Sequence, residues 1–149
     1  MADFDVKLTG FKELEQKLLS LESGEQADAI ERRALRAVGA VIKPALEAAT
    51  PVRGNVYGPL PKGALKTSVR ARTRLGKNGE PSVEIVDFGN LSFIAHVVDV
   101  GHVNANAKKG RKHTPAHPFI RSVEDATHEA AADAYLETLE AGIVEVLEK

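Results

Sequence analysis

Histidine is the residue type best suited to proton chemistry at neutral pH, and four of the five in this 149-residue chain, His96, His102, His113 and His117, crowd into one stretch. His113 and His117 have the four-residue spacing that sets two metal ligands on one helical face, but Pro115 lies between them and forbids that helix. No acidic residue stands between Asp99 and Glu124 to complete a ligand set. The lack of cysteine removes thiolate nucleophiles, thiolate zinc sites and disulfides together. No serine sits in a nucleophile elbow, and the glycines from Gly54 to Gly63 lack the spacing of a phosphate-cradling loop. What remains of catalysis is a small nuclease in which His96 or His113 takes a proton and an arginine steadies the phosphate. The residues permit that reading without favouring it, so the expectation is a chain with no metal, no cofactor and no enzymatic activity.

Cations carry a stronger signal. Lys108, Lys109, Arg111, Lys112 and His113 surround Gly110 in a stretch that holds no apolar residue larger than alanine from Asn104 to Thr114. Such a segment cannot bury enough surface to order itself, which predicts an arm that becomes ordered against a partner or a DNA backbone. Arg70, Arg72 and Arg74 alternate along a strand-like run and form a second basic face, suited to contact between subunits or to the lumen of an assembly. The net charge of −1 conceals this segregation. Residues 51–118 hold 11 basic and 4 acidic side chains, a net +7, whereas residues 119–149 hold 2 basic and 8 acidic, a net −6. Opposite charge on two parts of one small chain predicts either contact with a polyanion or head-to-tail packing of copies. Tryptophan is absent and the few other aromatic residues occupy core-like positions, which argues against a stacking platform for single strands. A basic nucleic-acid-binding protein that contacts duplex backbone is therefore the alternative function.

The elements that must position these groups follow from periodicity. Phe4, Val6 and Leu8 alternate as in a short strand, and Phe11, Leu14, Leu18 and Leu21 share one face of a short helix. From Glu25 a longer amphipathic helix places Ala27, Ile30, Ala34, Val38, Val41 and Ile42 on one face, with a kink or restart expected at Pro44 and a stop at Thr50-Pro51. Pro51, Pro59 and Pro61 with Gly54, Gly58 and Gly63 make the next segment an extended loop. LKTSVRARTRL and SVEIVDFG then read as two strands of a hairpin turned at Asn78-Gly79, and FIAHVVDV as a third, buried strand. A long loop leads to Pro118, which opens a closing helix with an apolar stripe at Phe119, Val123, Ala126, Ala130, Ala134, Leu136, Leu139, Ile143 and Val146. The prediction is a single α+β domain over residues 1–149, with an antiparallel sheet of three to four strands packed by a long kinked N-terminal helix and a C-terminal helix, and with two long loops. No apolar run approaches a membrane span and no secretion signal is visible, which predicts a soluble chain without a membrane partner.

In this order the segments ALRAVGAVIKPALEAATPV, GALKTSV, FIAHVVDVGH and TPAHPFIRSVEDA resemble a family of bacteriophage neck or tail-completion proteins of long-tailed, siphovirus-type particles. The likeness rests on an alanine-rich helix ending in a proline, a Ser-bearing strand, an acid-x-Gly strand end, and Pro-x-x-Pro-Phe before the last helix. Pro51, Ser68, Asp99, Gly101, Pro115, Pro118 and Phe119 occupy the matching positions. The chain departs from the pattern at Ile94-Ala95, where the family often has Tyr-Ala, and at Asp99-Val100-Gly101-His102, where it often has Glu-x-Gly-Thr; PVRGNVYGPLPKG is also longer than a minimal loop. The resemblance implies a structural virion protein, assembled in the host bacterial cytoplasm. It would form a six-fold homo-oligomeric neck ring joining head to tail, with double-stranded DNA passing through without sequence preference. Its neighbours would be head-completion or adaptor proteins on one side and tail-tube or tail-terminator proteins on the other.

Overall fold

Gly24 leads into an amphipathic run that forms helix α1 (Glu25–Ala49), with Ile30, Ala34, Gly39 and Leu46 buried along it. The computed structural model describes residues 24–52, 60–76, 82–104 and 112–148. The strand and short helix read before Gly24, the Asn78-Gly79 turn, and Lys108, Lys109 and Arg111 lie outside the described residues. Helix α1 is continuous through Pro44 and does not restart there. Pro44 and Ala40, whose carbonyl loses its donor to the proline, are both exposed, so solvent can take the place of the missing bond. The helix closes at buried Thr50, whose hydroxyl and N–H both donate to the Leu46 carbonyl, at 2.6 and 3.0 Å, just before Pro51.

A helical turn, α2 (Ala64–Thr67), precedes strand β1 (Arg70–Arg74), so the strand read from Leu65 begins five residues later than its alternation implies. Ser68 closes this turn by donating its hydroxyl to the Leu65 carbonyl at 2.7 Å. Strand β1 pairs antiparallel with β2 (Val83–Asp87), with Arg70 opposite Asp87 and Arg74 opposite Val83. That hairpin is the one the sequence predicts.

The third strand is not formed. After a 3₁₀ turn at Gly89–Leu91 the apolar run FIAHVVDV folds as helix α3 (Ser92–Val100), burying Ala95 and Val98 and leaving Phe93 and Val100 exposed. A short apolar run fits either period, and here Ile94, Ala95 and Val98 share a helical face against the core. Strands β3 (His102–Asn104) and β4 (Lys112–Thr114) then pair antiparallel, so part of the expected long loop is a hairpin. The architecture is α+β, but among the described residues the sheet of three to four strands is replaced by two separate two-stranded ribbons. No described helix is long and apolar enough to cross a membrane.

Helix α4 (Phe119–Leu147) lies antiparallel to α1: its start shares a core with Leu46, while Gly142 near its end meets Ile30. The buried stripe is Phe119, Val123, Thr127, Ala131 and Gly142, whereas Ala126, Ala130 and Leu136 are exposed. The predicted stripe holds at Phe119 and Val123 and then runs one position out of register, with Ala126 and Ala130 where the contact takes Thr127 and Ala131. A Cβ on Gly142 would stand 2.6 Å from Ile30 Cγ2, so the two helices touch where one has no side chain. Arg33 and Glu145 add an exposed ion pair at 3.1 Å across the same seam, worth at most about 1 kcal/mol.

Candidate functional site

Several positions carrying the family likeness meet at one junction, where α3 ends and α4 begins. Asp99 Oδ1 accepts a 2.8 Å hydrogen bond from the Ile120 N–H, and so places a carboxylate on a first-turn donor of α4 that has no partner within its own helix. Pro118 precedes that turn, and its carbonyl accepts the Ser122 hydroxyl at 2.6 Å. The His117 N–H donates to the Val98 carbonyl at 3.0 Å, tying the two helices through backbone as well. Gly101 makes the turn with φ +75°, and a Cβ there would stand 2.7 Å from both the Ala116 nitrogen and the Thr114 oxygen. Phe119 is buried beneath, edge-to-face on Phe88 with ring centroids 5.8 Å apart. Pro115 lies exposed beside this junction, whereas Pro51 and Ser68 end other elements. These residues hold the base of the β3–β4 hairpin; residues 105–111, with Lys108, Lys109 and Arg111, connect its two strands, and Lys112 and His113 belong to β4.

The arginine face is partly neutralised from within. Arg70, Arg72 and Arg74 share a side of the β1–β2 ribbon with Asp87, which accepts from Arg70 Nε at 2.8 Å, from Arg72 at 2.6 Å and from the Gly89 N–H at 2.8 Å. The Arg70 hydrogen bond above all, with Gly89 and Arg72 helping and partial burial opposing, lowers the Asp87 carboxyl from its ordinary 3.8 to about 2. A depressed carboxylate stabilises the fold above its unfolded pKa and loses that contribution as pH falls through the folded one. Both arginines are more than half exposed, so screening reduces the effect to about 1 kcal/mol, lost between pH 4 and pH 2. Urea unfolding from pH 5 to pH 2 is expected to show that loss, and Asp87→Asn to remove it; equal acid sensitivity in the two proteins would refute the assignment. Of the three strand arginines only Arg74 lacks an ion-pair partner among the described residues.

The opposite side of the ribbon, with Ala71, Thr73 and Glu84, faces α1 and forms a groove of about 940 Å³ that the sequence reading missed. Arg32, Arg36 and Lys43 project into it from α1, and Arg72 and Arg74 border it from β1. Asp28 and Glu84 are its acidic members, and Glu84 Oε2 is buried without a hydrogen-bond partner among the described residues. Glu84 lies deep against the helix: a Cβ on Gly39 would stand 2.5 Å from its Oε1. The signal was present in the spacing of Arg32, Arg36 and Lys43, which share one helical face, but only folding brings Arg74 to it.

His96 is exposed on α3, and Asp99, one turn on, is engaged in the α4 contact. Among the described residues no three His, Cys, Asp or Glu side chains are grouped to hold a metal. Compared with known proteins, the chain matches no family model, no curated protein and no solved structure.

Proposed function

We propose that this chain is a non-enzymatic structural protein of a tailed bacteriophage, a homo-oligomeric neck ring that joins head to tail and lets DNA pass. The observation that carries the reading is the cationic segment 105–111, which connects the strands of a hairpin braced by Gly101 and Asp99 on the junction of two helices. A braced stem suits reach toward an adjoining layer of a particle, since it resists bending, and the cationic run between its strands is complementary to an acidic or phosphate surface. Further support comes from the resemblance itself: the motif residues Asp99, Gly101, Pro118 and Phe119 meet at one place in the fold. The subunit partners are other copies, head-completion and tail-tube proteins, and duplex backbone.

The direct test is charge reversal of Lys108, Lys109, Arg111 and Lys112 to glutamate in the producing phage. Heads and tails are then expected to accumulate unjoined, or joined particles to lose their DNA, with infectious titre falling by orders of magnitude. Normal particles carrying the reversed chain would rule out the arm's role. Absence of the wild-type chain from purified particles would rule out the function.

A further inference from the structure

Two unpartnered ridges of opposite charge lie on opposite sides of the α1–α4 pair. On α4, Asp125, Glu129, Asp133, Glu137 and Glu140 recur every three or four residues and are exposed, with no ion-pair partner among the described residues. Asp133 and Glu140 each stand two positions from a buried contact residue, Ala131 or Gly142, which is roughly 200° around a helix of 3.6 residues per turn. This ridge therefore points directly away from α1. Leu136 and Val144, 53% and 49% exposed, lie among the acids. On α1, Arg32 and Arg36 each stand two positions from buried Ile30 or Ala34 and point away from α4 by the same arithmetic, into the groove that Arg74 completes.

We infer that the outer face of α4 of one copy docks in the α1–β1 groove of the next, acids on Arg32, Arg36 and Arg74, and Leu136 on the apolar wall at Ala40 and Leu75. The inference deepens the ring reading and rests on it for the association of copies. Charge complementarity selects the occupant: the groove's unpaired cations are guanidiniums, and α4 offers carboxylates at matching helical spacing, with apolar side chains between them. Asp28 and Glu84 oppose this, but the three unpaired arginines outnumber them, and Glu84 lies deep against Gly39. Donor and acceptor surfaces lie on opposite sides of the subunit, so the contact is heterologous. Each copy keeps one free surface of each kind until a ring closes.

Two charge-reversed chains test this by sedimentation over a concentration series. Arg32→Glu with Arg36→Glu reverses the groove, and Glu129→Lys with Asp133→Lys reverses the ridge; all four side chains are exposed, and circular dichroism checks that each variant stays folded. Each variant alone is expected to need roughly tenfold or more higher concentration than wild type to assemble. An equimolar mixture should regain the wild-type mass, because both mixed contacts pair opposite charges. If wild type assembles and neither reversal matters, or if the mixture stays monomeric, this interface is wrong while the ring reading stands. A wild-type chain that is monomeric at high concentration rejects both. If the groove variant loses duplex DNA binding at unchanged mass, the groove serves phosphate, and that result overturns the inference.

Discussion

Gly101→Ala is expected to unfold about 10 °C below the wild-type chain, a loss of about 3 kcal/mol for a single methyl group. Gly101 combines φ +75° with ψ 168°, a region that L side chains scarcely enter and that costs roughly 1–3 kcal/mol by itself. The added Cβ would also stand 2.7 Å from two backbone atoms, Ala116 N and Thr114 O, neither of which can rotate aside as a side chain could. Relief requires the start of β3 to move off residues 114–116, and with it the hairpin that leads to the cationic segment. Urea and thermal unfolding measure the loss. A variant within about 0.5 kcal/mol of wild type would show that the turn accepts a side chain and that the hairpin base is not rigid.

Phe119→Ala is expected to cost as much or more, a loss of about 3–5 kcal/mol, which is a large share of the stability of any domain of this size. Phe119 is 3% exposed and packs with Leu46, Phe88, Val98 and Val123, so truncation opens a cavity where both long helices and α3 converge. Phe119→Leu keeps most of the volume and forfeits mainly the edge-to-face contact with Phe88, worth about 0.5–1.5 kcal/mol. Unfolding midpoints should therefore rank wild type, then Phe119→Leu, then Phe119→Ala, with the second step the larger. If alanine is tolerated as well as leucine, the junction is not the centre of the core. The two substitutions differ in what they report, since Gly101 tests backbone geometry beside the hairpin and Phe119 tests packing beneath it.

The local features were legible because their causes are local. The helix Glu25–Ala49 follows from one apolar stripe and a terminating Thr-Pro, and the β1–β2 hairpin from alternation on both sides of a turn signal. FIAHVVDV was misread for an equally local reason. Its apolar residues are too few and too contiguous to separate the two periods, and β-branched residues tilt the choice toward strand, while the packing of Ala95 and Val98 on Phe88 and Phe119 decides for helix. The stripe of α4 was misread in its middle because the alanines there, Ala126, Ala130, Ala131 and Ala132, are equally apolar, and only contact with α1 selects among them. Two helices in close contact instead bury Thr127, Ala131 and Gly142 and leave Leu136 in solvent.

Composition and spacing by themselves determined the segregation of charge, the cationic run from Lys108 to His113, the lack of thiolate chemistry, and the existence of two long helices, since each is a property of neighbours in the chain. Tertiary structure alone decided which charges are free. It tied Arg70 and Arg72 to Asp87, left Arg74 unpaired beside Arg32 and Arg36, turned the acids of α4 away from that groove, and placed Asp99 on the first turn of a helix twenty residues onward. The physical reason is distance: electrostatic pairing and close packing act over a few ångströms between groups remote in sequence, and no one-dimensional pattern specifies which of them folding will bring together.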